Sequence, residues 1–402
     1  MVDVGLIQEP HTLLAAATTF RQAMFGLPGG VTPLENWVEE YLQPGRVYGA
    51  WLAGELAGTT NSFRGEITLP GGNRVSHAAV THVGVLPQFS RRGVLRALFQ
   101  RQLNDFHQQQ VAVATLRASQ GTIYPRFGFG IASWFNTLSL DKRELGAIPA
   151  SAARIELLPA AQAWEQQVTI VHRFPERRAG TLTRWPQWWA MQQHRLRHSS
   201  HNHYVALLIR NEEPQAFVRY HAQPDENWLY SRDRTLVVDD LHAPDADSYQ
   251  ALIGYLLQLD ITRHITFASR PTDDPLPLWV DNSRAVTISA QRDESWLRII
   301  DVATTLNARQ WGAEQPVTLA VHDPLLPHNH GCWQLGPQGV RRSTAAADAS
   351  LSIDALATLL LGGSRVWQLI FSKKIELHNP QAAGRLERLF AVTQLPWAGL
   401  FF

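Results

Sequence analysis

Within residues 9–25, Leu13, Leu14, Ala17, Phe20 and Met24 recur at helical spacing and mark one face of an amphipathic helix. A second helix is expected over 34–42. The pattern then turns extended: 46–52 and 56–63 flank Ala53-Gly54-Glu55 and read as an antiparallel hairpin, and Pro70-Gly71-Gly72-Asn73 marks another turn. An extended run over 75–85 stops at Pro87. Beyond it Leu95, Leu98, Phe99, Leu103 and Phe106 define the apolar face of a helix, and the β-branched and apolar run 111–117 reads as the next strand. Strand, helix and strand in this order make the helix a crossover in an α/β domain.

The same coarse order returns further on, with a Trp-bearing helix at 184–194, strands at 204–209, 216–221 and 235–241, and a helix at 247–259. Here the connection Asp239-Asp240-Leu241-His242-Ala243-Pro244 has no glycine or arginine where a phosphate would approach backbone. This second copy is expected to be inactive. After the Pro-rich 271–277 and a strand ending near Ala290, residues 297–307 lead into a third module with strands at 317–322 and 331–335 and a helix at 354–361. The expected domains are 1–150, 151–290 and 291–402, with the loop 147–152 as the first boundary. The run 395–402 is apolar, so it is expected to be buried.

Composition narrows the class. A chain of 402 residues exceeds one ordinary core, and 45% hydrophobic with 18% charged residues is globular composition. The net charge of +1 gives no global field for nucleic acid or an anionic membrane, so neither partner is expected and any phosphate site must be local. The single Cys332 cannot form an internal disulfide, residues 1–10 lack a secretory signal, and no apolar stretch approaches the roughly 20 residues that span a bilayer. A cytoplasmic enzyme or binding protein fits these facts.

Two segments carry the candidate chemistry. In the first, Arg91-Arg92-Gly93-Val94 opens the crossover helix, whose unpaired N–H groups favour an anion; Gly93 lets the anion approach, and Arg91, Arg92 and Arg96 add forked charges. Alone, it reads first as a solvated basic helix start. The second runs from Arg117 through Ser119 to Tyr124-Pro-Arg-Phe-Gly-Phe-Gly130, which alone reads equally as an aromatic core segment.

Together the two segments resemble the acetyl-CoA site of GNAT acetyltransferases. Arg178-Ala-Gly-Thr-Leu-Thr-Arg184, Trp188-Trp189 and Phe401-Phe402 extend the resemblance, over nearly the whole chain, to the enhanced intracellular survival (Eis) family. The resemblance implies tandem GNAT domains followed by a sterol-carrier-protein-like domain, assembled as a homohexamer. It implies acetyl transfer from acetyl-CoA to a primary amine of aminoglycoside, polyamine or lysine type. Val83 and Val85 would meet the pantetheine arm, Arg91, Arg92, Gly93 and Val94 the pyrophosphate, and Ser119 the cofactor. Tyr124 would be the general acid, helped by a positive neighbour such as Arg126, and the carboxylate of Phe402 the base. Phe25, Trp37 and Phe401 would line the acceptor pocket. The sequence departs from the family pattern at Ser90, where Gln or Arg is usual, and at Leu95, where a small residue is usual.

A vestigial site in a protein that binds an apolar ligand or partner is the alternative reading, and a longer acyl thioester is a variant of the first. The histidines His194, His198, His201 and His203 have no carboxylate-rich or cysteine partner nearby in the chain of the kind a metal site needs, and the group His322, Asp323, His328 and His330, beside Pro324 and Pro327, is a similar but weaker cluster. They read as polar loops, and no metal is expected.

Overall fold

The structure, a computed structural model, describes residues 1–25, 42–43, 45–146, 153–312 and 314–402. Trp37, the body of the helix expected around it, and the loop 147–152 lie outside the described residues. The chain forms two compact units. One contains 1–133, 178–191 and 293–402, and the other 134–177 and 192–292.

The first unit opens with β1 (Asp3–Ile7), β2 (Val47–Leu52), β3 (Glu55–Thr68), β4 (Arg74–Val85), β5 (Val113–Leu116) and β6 (Gly130–Ile131). Next come β7 (Trp134–Asp141), β8 (Arg154–Pro159), β9 (His203–Arg210), β10 (Glu213–Ala222), β11 (Thr235–His242), β12 (His264–Pro271) and β13 (Val286–Asp293), which build a separate sheet in the order β13-β7-β12-β11-β10-β9-β8. The strand β14 (Trp296–Ile299) then returns to the first sheet and completes the order β1-β2-β3-β4-β5-β14-β6. A third sheet, also in the first unit, uses β15 (Val317–His322), β16 (Gly331–Gly336), β17 (Gly339–Arg342), β18 (Ala349–Ser352) and β19 (Ile375–Leu377), ordered β17-β16-β15-β18-β19.

The position of β14 differs from the sequence reading, which had placed 297–307 at the head of the third module. All four residues of β14 are buried, and Trp296 to Ile299 pair antiparallel with Leu116 to Val113. The short buried strand β5 would otherwise leave its backbone donors and acceptors exposed along that edge, and β14 covers it. Arg298 of β14 is fully buried and donates two 2.8 Å hydrogen bonds to the carboxylate of Asp323, just beyond β15. Asp323 also accepts from the Asn329 amide and from the N–H groups of Leu325 and Leu326, so the buried charge is well bonded.

The crossover helix Val94–Gln108 turns one face to the first sheet. Val94 and Leu98 pack with Tyr48, Ala50 and Phe89, while Phe99, Leu103 and Phe106 pack with Ala78, Val80, Ala114 and Leu116. Each large apolar side chain so buried contributes about 1.5–3 kcal/mol, which fixes the helix start relative to β4. The Tyr48 hydroxyl donates to Asp105 at 3.0 Å and locks the helix at its far end.

Candidate active site

The site begins where two parallel strands part. Strands β4 and β5 pair only from His77↔Val113 to Ala79↔Thr115, after which β4 runs on to Val85 with only β3 beside it. A bulge reinforces the split: Gly84 faces Thr59 and Thr81 faces Asn61, so His82 and Val83 stand opposite the single residue Thr60. His82 adopts a left-handed φ of 51°, uncommon for a residue with a Cβ. The departure of β4 from β5 leaves the backbone of Val83 and Val85 facing a gap, where an extended ligand could add its own hydrogen bonds.

At the end of that gap lies the helix start. The turn Pro87–Phe89 is followed by Ser90, Arg91 and Arg92, all exposed, and then by Gly93 at φ 83°. Arg91 is also left-handed, at φ 61°. Among the described residues, no heavy atom beyond the chain neighbours lies within 4 Å of where a Gly93 Cβ would stand. Glycine is therefore required here by backbone conformation, and the space above it is open. The first-turn N–H groups face that space by helix geometry. The Arg92 guanidinium lies 5.5 Å from the Phe89 ring centroid, which holds it beside the turn.

The opposite wall is the segment after β5. Tyr124 is 4% exposed and stands before the turn Pro125–Phe127, with its carbonyl accepting from Phe127 and Phe129. Its ring meets Phe99, Phe129 and Trp296. Burial pushes the phenol pKa above its ordinary value, and a hydrogen bond with Ser119 opposes that shift. The Arg126 guanidinium lies over the Phe127 ring at 5.2 Å, and the causes acting on the phenol are burial and Ser119. The Phe-Gly-Phe-Gly spacing has a packing cause: a Cβ on Gly130 would stand 2.0 Å from the Asp354 carbonyl of the helix Ile353–Leu360.

The apolar run 395–402 is bound to the same unit. Arg178 donates to the Leu395 carbonyl at 2.7 Å, the Trp397 N–H to Ala179 at 2.9 Å, and the Leu182 N–H to Ala398 at 3.1 Å. Arg117 donates to the Leu400 carbonyl at 2.6 Å, and the Trp188 indole to the Phe401 carbonyl at 2.8 Å. The Phe402 ring is buried edge-on to Trp185 at 5.5 Å. Under the tail, buried Glu294 accepts from Arg117 at 3.2 Å, Ser133 Oγ at 2.7 Å and the Ala398 N–H at 2.8 Å. Burial raises the Glu294 carboxyl above its ordinary value, while Arg117, Ser133 and the Ala398 N–H pull it back.

The loop residues Arg91, Arg92, Gly93 and Val94 thus share one helix start, Val83 and Val85 the adjoining strand, and Ser119 and Tyr124 one turn. Phe25 and Phe401 both present exposed rings, Phe25 just beyond the helix Pro10–Ala23 and Phe401 under the Arg117 guanidinium at 5.4 Å. The sequence reading missed Glu294, Ser133 and the anchoring role of Arg117; the one signal was an acid at 294 beside a strand of otherwise mostly apolar residues. It also missed His77, fully buried beside the split with its Nε2 2.7 Å from Thr115 Oγ1 and its pKa lowered by burial to about 3.

The corresponding position of the second unit is built differently. Its helix Ala246–Leu257 joins the parallel pair β11 and β12, and starts at Asp245, whose carboxylate accepts from the Ser248 N–H at 2.7 Å. A carboxylate of the chain itself thus occupies that helix start.

A bulged strand splayed from a parallel neighbour, followed by a glycine-capped crossover helix, defines a class. The acetyltransferase (GNAT) domain family matches residues 14–132, a further acetyltransferase (GNAT) domain family matches 180–299, and the sterol carrier protein domain family matches 302–399. An uncharacterized N-acetyltransferase of Streptomyces griseus is 30% identical over 369 residues, covering 88% of each chain. N-acetyltransferase Eis of Mycobacterium tuberculosis is 28% identical over 365 residues, covering 85% of each. The crystal structure of Eis1 from Mycobacterium abscessus superposes with a TM-score of 0.92 at 38% identity, over 100% of both chains. The chain belongs to the Eis family of GNAT N-acetyltransferases. Among the described residues, no helix is long and apolar enough to cross a membrane.

Proposed function

We propose that the enzyme moves an acetyl group from acetyl-CoA directly to a primary amine at the split between β4 and β5. The observation that carries this reading is the open, glycine-capped start of the helix Val94–Gln108 directly beyond the bulged end of β4. The pyrophosphate rests on the N–H groups at Gly93 and Val94 with Arg91 and Arg92 as charged partners, and the pantetheine arm runs along Val83 and Val85. Ser119 and Tyr124 stand at the thioester end.

An amine with a pKa near 10 is mostly protonated at pH 7, and freeing it costs roughly 4 kcal/mol. The carboxylate assigned to Phe402 takes that proton, directly or through water, and its negative charge draws the ammonium in. The amine nitrogen then bonds to the carbonyl carbon, the carbon–sulfur bond breaks, and the departing thiolate takes the phenolic proton of Tyr124; the second proton of the nitrogen leaves as the amide forms and, through water, restores the phenol. Burial keeps Tyr124 protonated at neutral pH, as an acid must be. Phe25 and Phe401 border the acceptor side. The second GNAT domain, whose helix start is occupied by Asp245, serves as scaffold.

The test is thiol release from acetyl-CoA across a panel of aminoglycosides, polyamines and lysine peptides, with calorimetry for acetyl-CoA itself. One acetyl-CoA bound per chain and amine-dependent turnover are expected. Absence of binding would overturn the reading.

A further inference from the structure

The second unit brings together side chains for which acetyl transfer has no use. His203 at the start of β9 and His221 near the end of β10 are directly opposed in antiparallel register. Strand β11 contributes Asp239 through a bulge: Tyr220 faces Val238 and Arg219 faces Asp240, so Asp239 has no cross-strand mate. Its Oδ2 stands 2.8 Å from His203 Nδ1 and 3.1 Å from His221 Nδ1. One donor atom from each of the three residues lies within 4.8 Å of the other two. On its far side, His203 Nε2 is 2.9 Å from Ser199 Oγ, a contact that fixes the ring and leaves Nδ1 as the inward atom. The His201 ring lies parallel to His221 at 5.5 Å. The sequence reading set the histidine cluster aside because no carboxylate stands near it in the chain; the fold supplies one from 36 residues beyond His203.

We propose that His203, His221 and Asp239 bind a divalent transition metal of the zinc or cobalt type, with water as the fourth ligand. Bonds of about 2.0–2.1 Å in a tetrahedron separate ligand atoms by about 3.4 Å, so the present contacts of 2.8 and 3.1 Å open by about 0.3–0.6 Å. Two imidazoles and one carboxylate favour such ions over magnesium or calcium, which take oxygen donors. With the ion on Nδ1, each imidazole carries its ring proton on Nε2, where Ser199 accepts that of His203. Three neighbouring strands supply the ligands, so the ion stabilises this sheet and has no part in acetyl transfer.

The test uses the full chain, freed of metal with a chelator and carrying His107→Asn to remove a second group, His107, Asp301 and His328. It is titrated with cobalt(II), read by the visible bands of tetrahedral cobalt, and with zinc(II), read by calorimetry. One equivalent of each ion is expected, with a rise in Tm on zinc addition. His221→Asn and Asp239→Asn should each weaken binding by at least about 10-fold, and His198→Asn should leave it unchanged. Near-UV circular dichroism verifies that each variant is folded. If either ligand variant fails to fold, His203→Gln takes its place. No binding by the parent, unchanged affinity in a folded ligand variant, or loss of binding on His198→Asn would overturn the proposal.

Discussion

The guanidinium of Arg117, one residue beyond β5, donates a 2.6 Å hydrogen bond to the carbonyl of Leu400 and a 3.2 Å one to the buried carboxylate of Glu294. The strand whose end marks the split thereby holds the tail that carries Phe402. Replacing Arg117 by Met removes the tail contact and leaves Glu294 buried without its cation. A loss of about 3–5 kcal/mol in stability is expected. Misplacement of the tail should lower kcat by about 10-fold or more, with acetyl-CoA affinity unchanged. Steady-state kinetics and calorimetry on the folded variant measure both, and an unchanged kcat would separate the anchor from the chemistry.

Tyr124→Phe keeps the ring packing against Phe99 and Trp296 and removes the proton donor. Turnover should fall by about 10²-fold with acetyl-CoA binding nearly intact. Because burial raises the phenol pKa, Tyr124 stays protonated above its ordinary value near 10, so the basic limb of the kcat profile should lie above that value. Ser119→Ala removes the opposing hydrogen bond and should move the limb higher still. A limb below the ordinary value would contradict the assignment.

Gly93→Ala places a Cβ on a residue at φ 83°, at a cost of about 1–2 kcal/mol, although no neighbouring protein atom obstructs it. The loss should appear in acetyl-CoA affinity as well as in Tm. Arg91→Ala and Arg92→Ala should each weaken acetyl-CoA binding by about 10-fold or more, as removal of a charge-assisted hydrogen bond predicts, with no fall in Tm. Titration calorimetry reads these effects, and full affinity in all three variants would move the pyrophosphate elsewhere.

His77 is held neutral by burial, with its pKa lowered to about 3, whereas an unfolded histidine takes its proton near 6.5. Between those values the unfolded chain binds more protons than the folded one. The stabilisation is therefore complete above about 6.5 and falls with added acid, by up to about 1.4 kcal/mol per pH unit. Urea unfolding of the first unit across this range should show a shallower slope for His77→Gln. Equal slopes would assign the acid sensitivity to other groups.

In the second unit, Asp245→Ala removes the side chain that caps the helix Ala246–Leu257, costing about 1 kcal/mol of stability. Acetyl-CoA stoichiometry should remain one per chain. A second equivalent bound by this variant would show that the cap alone closes a competent site.

Much of the candidate site was legible because its features are local. The period of Leu98, Phe99, Leu103 and Phe106 is set within a few turns of one helix, and the Arg91-Arg92-Gly93 loop needs only its own backbone to bend. The turn after Tyr124 closes through hydrogen bonds between residues three to five apart.

What the sequence by itself determined was many of the helices and strands, the position of the crossover helix and the residues at its start, since these follow from side-chain period and backbone preference over short spans. Tertiary structure alone decided that β14 completes the first sheet, that Glu294 and Arg117 secure the tail, and that Asp239 joins His203 and His221. Those contacts link residues 177 and 283 positions apart in the first unit and 36 in the second. Which strand covers which open edge depends on the pairing surfaces left by the rest of the fold, and no local period in the chain encodes that.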